Sequence, residues 1–397
     1  MIFGVAHRNF RVLFGVLVLS FAFGSLHAFG VLIEPLQNML ETERGSISLA
    51  YSLSIIGVTT GVFVSTHLNR LLTPQQIAIL CGVMGASGLA LVSIWPSLGM
   101  LLLGYGILFG FSNGLAYSLF LEQAARALPQ SKGLALGIAT AMYGAGAAAF
   151  TQILSPLAHT DTLDTALAVL SFSVLLAGGL AALMFSRARI VVEQGNLPAP
   201  NLHPQARDIF RLWAIYCLAA SGGLMVIVHA VGLMRGFGAS EISIMAAPTL
   251  NAVGNIAGSL LGGVIADRLT ARRALAVPLL ISLISLVVMR VVSSEVALLG
   301  LMTACGFGYG ALIAIVPVVI RKMFDPVHVG WVFGRVFTAW GIAGLVGPYV
   351  AGNIFDHTHG YELAIIASIC CLACAAGLNM FDNSRTHQET KDRELDK

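Results

Sequence analysis

Twelve long runs of apolar residues follow one another along this 397-residue chain, and they restrict it to one class of fold. Each run has roughly the 20 apolar residues that an α-helix needs to cross a bilayer. The runs are too long for the strands of a membrane barrel and lack alternation of polar and apolar residues. The predicted fold is therefore all-α, with twelve transmembrane helices. Their predicted limits are Phe10–Leu36, Ser46–Leu68, Gln76–Trp95, Leu98–Phe120, Gly133–Ala158, Thr165–Phe185, Ile209–Arg235, Ile242–Ala266, Leu275–Val292, Val296–Ile320, Val329–Phe355 and Tyr361–Met380.

Composition excludes several classes of protein. Charged residues make up 10% of the chain, whereas soluble domains have about 25%. Hydrophobic residues make up 57%. These values exclude a soluble multidomain enzyme, a disordered chain and a nucleic-acid binder. The expected surroundings are a lipid bilayer, and no nucleic-acid partner is expected.

The distribution of positive charge predicts the orientation. With the N-terminus inside, eighteen of the 22 Lys and Arg residues fall in cytoplasmic segments. Such a bias marks the cytoplasmic side. We therefore expect both termini in the cytoplasm and the chain in a bacterial-type inner (plasma) membrane. The first apolar run is too long for a cleaved signal peptide, so we interpret it as an uncleaved first span.

The chain consists of two copies of one six-helix unit. Segment Gly104–Gly114 matches Gly300–Gly310 at an offset of 196. Three further matches follow in the same order, at offsets of 197, 198 and 202: Gly133, Gly137 and Gly144 with Gly330, Gly334 and Gly341; Asn69-Arg70 with Asp267-Arg268; and His27 with His229. We predict two pseudo-symmetric six-helix bundles (1–185 and 208–380), a cytoplasmic linker (186–207) and a disordered cytoplasmic tail (381–397). Parallel halves of this kind rock about a central site in known carriers.

The loop Gly263-Val-Ile-Ala-Asp-Arg-Leu-Thr-Ala-Arg-Arg273 resembles the loop signature of the major facilitator superfamily of secondary transporters. The resemblance implies the major facilitator fold. It also implies that Asp267, Arg268 and Arg272 form a conformational latch, here called the loop latch. The first-half copy has Asn69 where the second has Asp267, so a strong latch is not expected there.

Within the superfamily, the chain resembles the monocarboxylate-transporter-like branch, including oxalate/formate-type relatives. Segments Phe29–Leu36, Lys132–Ala141 and Gly341–Pro348, with Phe355–Tyr361, carry the resemblance. The basic residues of that branch are missing, because their positions fall on Ser259, Trp340 and His27. These departures indicate a different anion, or a neutral or bulkier substrate.

Two histidines are the first candidates for substrate binding and proton coupling. His27 in the first span and His229 in the seventh are equivalent under the repeat. Ionisable groups inside a membrane are costly and usually functional. Imidazole titrates near pH 6.5, so it can bind a proton or an anion. The alternative is that both histidines only bond neighbouring helices or interfacial water.

Other polar or aromatic residues inside the spans are further candidates for substrate binding. Two pairs lie one turn apart on a helix face, and buried amides usually face protein or water. Arg335 either meets an anionic group or snorkels to the cytoplasmic surface. The aromatic candidates either form part of the wall of the substrate cavity or only pack against neighbouring helices. These residues are Asn113 with Tyr117, Asn251 with Asn255, Tyr143 with Trp340, and Arg335.

No enzyme constellation, cofactor motif or phosphate loop occurs, and no metal site is expected from the six cysteines. The predicted function is secondary transport of a small organic solute, with a carboxylate as the leading choice, by alternating access and with possible proton symport. One alternative is efflux of an amphipathic drug or metabolite. A transporter-like sensor and a membrane-bound enzyme are the less favoured alternatives. By resemblance, the chain is expected to function as a monomer.

Overall fold

The computed structural model describes residues 2–157, 162–187 and 204–380, and all regular structure in these ranges is helical. Twelve helical segments are long and apolar enough to cross a membrane, which confirms the predicted all-α fold. Most of the predicted linker and the whole predicted tail, residues 381–397, lie outside the described residues.

We number the twelve membrane spans from 1 to 12. Each is a single α-helix or a series of consecutive helical pieces. Span 1 comprises Ile2–Phe23, Gly24–Leu32 and Ile33–Leu40; span 4 comprises Leu98–Leu101, Leu102–Phe109 and Gly110–Ala127; span 7 comprises Ala206–Val228 and Ala230–Gly236. The others are Arg44–Leu71 (2), Pro74–Ile94 (3), Lys132–Leu154 with Ser155–Leu157 (5), Leu163–Arg187 (6), Glu241–Arg268 (8), Ala271–Met289 (9), Glu295–Met323 (10), Pro326–Thr358 (11) and Glu362–Met380 (12).

Spans 1, 4 and 7 depart from regular α-helical geometry part of the way along their length. Gly24–Leu32 in span 1 is a 3₁₀ helix, and Leu102–Phe109 in span 4 is a π-helix. Span 7 breaks at His229, whose φ and ψ are −103° and 17°. Such irregular segments often mark hinges or functional sites. The two histidines predicted from the repeat thus lie at the irregular points of spans 1 and 7.

The two halves meet mainly through spans 5 and 8 and through spans 2 and 11. The closest approach is at Gly133 in span 5 and Gly263 in span 8. A methyl group added at Gly133 would lie 2.1 Å from the Gly263 carbonyl oxygen, and one at Gly263 would lie 2.0 Å from the Gly133 carbonyl oxygen. Only glycine permits backbones to approach this closely.

Spans 5 and 8 diverge from this crossing towards the opposite face of the membrane. A methyl group at Gly144, three turns further along span 5, would meet only the Ile256 side chain, at 3.5 Å. The start of span 9 and the end of span 12 lie on the crossing side, where the Asn379 amide donates to the Arg272 carbonyl at 3.0 Å. This side is the predicted cytoplasmic face, and the structure holds the halves together there.

Candidate functional site

His27 lies in the 3₁₀ segment of span 1, close to side chains from spans 2 and 5. Its Nδ1 is 2.8 Å from the Tyr51 hydroxyl. The Tyr143 ring lies edge-on to the imidazole, with centroids 5.5 Å apart. Among the described residues, Nε2 has no hydrogen-bond partner, and His27 is only partly buried. One ring nitrogen is therefore available to a ligand.

Span 4 holds the irregular part of span 1 in place. The Asn113 amide donates to the Phe23 carbonyl at 2.6 Å, and the Tyr105 hydroxyl donates to the Leu26 carbonyl at 2.7 Å. The Asn113 oxygen also accepts from the Tyr143 hydroxyl at 3.0 Å. Asn113 is fully buried, so in this conformation it positions His27 and Tyr143 rather than facing the space between the halves.

The second half repeats the span 4–span 5 hydrogen bond with different side chains. Trp340 in span 11 is equivalent to Tyr143, and Tyr309 in span 10 is equivalent to Asn113. The Trp340 indole N–H donates to the Tyr309 hydroxyl at 2.8 Å. In both halves, one hydrogen bond thus fixes an aromatic ring of the span that faces the other half.

Aromatic rings connect these two hydrogen bonds across the boundary between the halves. Tyr117 lies 5.7 Å from Tyr143 and 5.2 Å from Phe337, measured between ring centroids. Phe337 in turn stacks on Trp340 at 5.3 Å. We call these four residues the aromatic band. Aromatic pairs at such distances attract one another beyond simple burial, so the band links the two halves next to His27.

His229 differs from His27 in its contacts. Its Nδ1 is 3.1 Å from the Tyr361 hydroxyl, and its Nε2 is 3.1 Å from the Pro348 carbonyl oxygen. A carbonyl oxygen only accepts, so Nε2 carries a hydrogen and Nδ1 accepts from Tyr361 in the neutral ring. Both nitrogens are therefore used to join span 7 to span 11 and to the residue that precedes span 12.

The amides of span 8 contact span 10. Asn251 is buried and its side chain donates to the Met302 carbonyl at 2.9 Å. Asn255 is partly buried beside Gly310. The hydroxyl of Ser259 donates to the Gly310 carbonyl at 3.2 Å. The structure does not bring these side chains into contact with His27.

Arg335 lies in a surface groove rather than beside the aromatic band. Its guanidinium carbon is 3.5 Å from the centroid of the Trp331 ring and 5.3 Å from that of Phe63. The groove has a volume of about 430 Å³ and a mostly apolar lining from spans 2, 7 and 11. Cation–π contacts hold the charge there, so the structure separates Arg335 from the other predicted site residues.

Asp267 joins the two halves at the predicted cytoplasmic face. Its carboxylate accepts from the Gly133 N–H at 2.8 Å and from the Leu134 N–H at 3.0 Å. These are unpaired donors of the first turn of span 5, so Asp267 caps that helix from the other half. Arg268 and Arg272 are exposed, and among the described residues their side chains form no ion pair with Asp267.

Among the described residues, the matching crossing of spans 2 and 11 has no such cap. The Asn69 amide donates instead to Glu122, at 2.8 Å, within the first half. Across the halves, the Thr66 hydroxyl donates to the Gly330 carbonyl at 3.0 Å. Span 11 begins at Pro326, before Gly330, so its unpaired N–H groups lie away from the crossing.

Sequence analysis did not identify Tyr51, Tyr309 or Phe337 as site residues. For Tyr309 a signal was present, because the repeat aligns it with Asn113 at the offset of 196. Phe337 lies three residues before Trp340, so both rings share one helix face. Tyr51 has no sequence signal, because only the fold places it beside His27.

Comparisons with known proteins agree with this architecture. Residues 212–396 match a model described as Major Facilitator Superfamily. The chain is 23% identical over 341 residues to the MFS-type transporter YhjX of Escherichia coli (strain K12), covering 84% of this chain and 85% of that protein. It is 23% identical to monocarboxylate transporter 13 of Rattus norvegicus, covering 90% and 85%. It is 26% identical to monocarboxylate transporter 12 of Homo sapiens, covering 80% and 68%.

Solved transporter structures share the fold. The proton:xylose symporter XylE matches with a TM-score of 0.72 and 14% identity, over 93% of this chain and 94% of that chain. A bacterial homologue of the iron transporter ferroportin in an outward-facing state matches with a TM-score of 0.68 and 15% identity, over 94% and 98%. The solved structures show the fold, while the family-model match and the similar transporters confirm the superfamily resemblance predicted from the sequence.

Proposed function

We propose a function for this chain on the premise that it belongs to the major facilitator superfamily and moves a solute across a membrane. The proposed solute is a small apolar organic acid, and the proposed site is the space beside His27 and the aromatic band. A proton accompanies the acid. The two halves alternate in exposing this site to the two sides of an inner membrane, with both termini in the cytoplasm.

The single observation that carries the proposal is the free nitrogen of His27. Tyr51 holds Nδ1, while Nε2 has no partner among the described residues. A protonated imidazole with this geometry offers an N–H to a carboxylate, and charge-assisted hydrogen bonds of this kind are the strong ones. When the proton leaves, the ring loses its positive charge and its attraction for the anion weakens. Binding of the proton and of the acid are therefore linked.

The side chains around the proposed site favour an acid whose remaining part, apart from the carboxylate, is apolar. Tyr143 and Tyr117 from the first half and Phe337 and Trp340 from the second offer ring faces and edges. The hydroxyl of Tyr143 and the indole N–H of Trp340 are already engaged within the protein. Two similar proteins bear the name monocarboxylate transporter, which agrees with a substrate that has one carboxylate.

The contacts at the predicted cytoplasmic face supply the conformational part of the mechanism. The Gly133–Gly263 crossing and the Asp267 cap hold that face closed while spans 5 and 8 diverge towards the other side. Opening requires that Asp267 release two N–H groups, that the Thr66 hydroxyl release the Gly330 carbonyl, and that the glycine surfaces of spans 5 and 8 separate. In the part of the chain that the structure describes, the hydrogen bonds identified across this face are those of Asp267 and Thr66, so the halves can rock as units.

Binding and transport are tested separately. Purified protein in detergent is heated with benzoate, a short-chain monocarboxylate and an amphipathic cation, at pH 5.5 and 7.5. A ligand of the folded state raises the melting temperature by mass action. We expect stabilisation by a monocarboxylate, greater at pH 5.5, followed by counterflow of that labelled acid in proteoliposomes. Stabilisation by the cation alone would contradict the proposal.

A second candidate function is efflux of an amphipathic solute. The observation that favours it is that Ser259 and Trp340 occupy the positions where the resemblance places basic residues, and both are engaged within the protein. A site without a fixed cation suits a neutral or cationic aromatic compound. Sensitivity of a host strain to toxic amphipathic cations, with and without the chain, separates this function from acid transport.

A further inference from the structure

A second cavity, unrelated to His27, lies on the predicted cytoplasmic face. Its volume is about 470 Å³, and it lies between spans 2 and 4 and the start of span 5 in the first half and spans 10 and 11 in the second. The charged and amide side chains that line it are Asn69, Glu122, Arg126, Lys132 and Arg321. It lies at the crossing of spans 2 and 11, where Asp267 has no counterpart.

The lining of this cavity has more positive than negative charge. Three cations, Arg126, Lys132 and Arg321, face a single carboxylate. That carboxylate, Glu122, already accepts from Arg126 through Oε1 and from Asn69 through Oε2. No second acidic residue lines the cavity among the described residues. Two positive charges therefore remain without a matching carboxylate.

Arg321 is the most constrained of the three cations. Its Nε is buried and has no hydrogen-bond partner among the described residues. A buried charged donor without a partner costs several kcal/mol, and an arginine on the surface would turn this group to water. The guanidinium fork matches two oxygens of a phosphate or carboxylate. This geometry favours an anion over a purely structural role for Arg321.

We propose that this cavity binds a phosphate-type anion that bridges the two halves. Arg126 and Lys132 belong to the first half and Arg321 belongs to the second. An anion between them is attracted by cations on both sides of the boundary. It thus holds spans 2 and 11 together at the face where Asp267 holds spans 5 and 8 together. Free phosphate and a lipid headgroup share this chemistry.

The test uses full-length protein in detergent, with inorganic phosphate added against sodium chloride of equal ionic strength. We expect phosphate to raise the melting temperature by about 3 °C or more and to slow hydrogen exchange at the predicted cytoplasmic ends of spans 2 and 11. Both effects should disappear in Arg321→Gln and weaken in Lys132→Gln. Arg273→Gln, an exposed cation of the same face outside the cavity, should retain them.

The same measurement in lipid nanodiscs separates the two sources of anion. If phosphate acts in detergent, a free anion is sufficient. If only discs containing phosphatidic acid, and not phosphatidylcholine alone, protect the two spans, and Arg321→Gln abolishes that protection, a headgroup supplies the anion. Equal effects of phosphate and chloride, together with no effect of phosphatidic acid, would overturn the proposal. Because no readout requires transport, failure of the acid-transport proposal leaves this test intact.

Discussion

His27 and His229 occupy equivalent positions, at the irregular points of spans 1 and 7, but only His229 has both ring nitrogens in hydrogen bonds. His229 joins the Tyr361 hydroxyl to the Pro348 carbonyl. His27 contacts the Tyr51 hydroxyl through one nitrogen and leaves the other open among the described residues. The two equivalent histidines therefore differ in that one joins helices through both nitrogens and the other keeps an open nitrogen, which is the basis of the proposed function.

We expect Asn113→Ala to weaken both the fold and the site. The change leaves the Phe23 carbonyl and the Tyr143 hydroxyl without their partner, and loss of buried hydrogen bonds costs about 2 kcal/mol. Tyr143→Phe removes only one of these bonds and should cost less. The two changes share a bond, so the double variant should be less destabilised than the sum of the single variants. Denaturation of the four proteins in detergent measures this, and strict additivity would contradict a shared bond.

We expect Gly263→Ala to abolish transport without abolishing ligand binding. The new methyl group would lie 2.0 Å from the Gly133 carbonyl oxygen, so spans 5 and 8 cannot close at the predicted cytoplasmic face. Gly179→Ala is the matched control, because nothing lies within 4 Å of a methyl group there. Counterflow in proteoliposomes and melting-temperature shifts with ligand measure the two properties. Normal transport by Gly263→Ala would show that this crossing does not close during the cycle.

We expect Asp267→Ala to loosen the closed face. The carboxylate caps the first turn of span 5, and loss of such a cap costs about 1–2 kcal/mol. Hydrogen exchange at Gly133 and Leu134 should accelerate, because both amides lose their acceptor. Arg268→Gln, which removes an exposed charge from the same loop, should leave these two amides protected. Unchanged exchange in Asp267→Ala would indicate that the cap does not persist in solution.

We expect Arg335→Gln to leave the apparent affinity for the transported acid within about twofold of the original value, a change of under 0.5 kcal/mol. The guanidinium lies over the Trp331 ring in the surface groove, away from the aromatic band. Arg335→Lys controls for loss of the side-chain stem. The measurement is the concentration dependence of uptake. A large increase in the concentration needed for half-maximal uptake would place Arg335 in the substrate path.

The extent of the spans and the repeat could be predicted from sequence because they depend on local composition. A run of apolar residues enters the bilayer whatever its neighbours are. The matching glycines and histidines were likewise visible in the sequence. The direction in which a side chain points around its helix is different, because packing against other helices fixes that rotation. Hydropathy alone could not predict that Arg335 lies in the surface groove, or that Asn113 is buried between spans 1 and 5.

The difference between the two histidines was equally hidden from sequence. It depends on Tyr51 and on Tyr361 with Pro348, which lie 24, 132 and 119 residues away from the histidines that they contact. The 3₁₀ segment of span 1 was also not predicted. It contains no proline, and its two glycines, Gly24 and Gly30, do not distinguish it from the many other glycine-containing spans. Hydrogen bonds from the span 4 side chains Tyr105 and Asn113 stabilise this segment, so its conformation depends on residues outside the segment.

The most direct test of the central claim compares His27→Gln with His229→Gln in proteoliposomes, using a labelled monocarboxylate identified by thermal shift and an imposed pH gradient. We predict that His27→Gln abolishes both ligand-induced stabilisation at pH 5.5 and the dependence of uptake on pH. His229→Gln should lower the melting temperature but retain pH-dependent uptake. The account would be contradicted if His27→Gln retained pH-dependent uptake, or if His229→Gln alone abolished it.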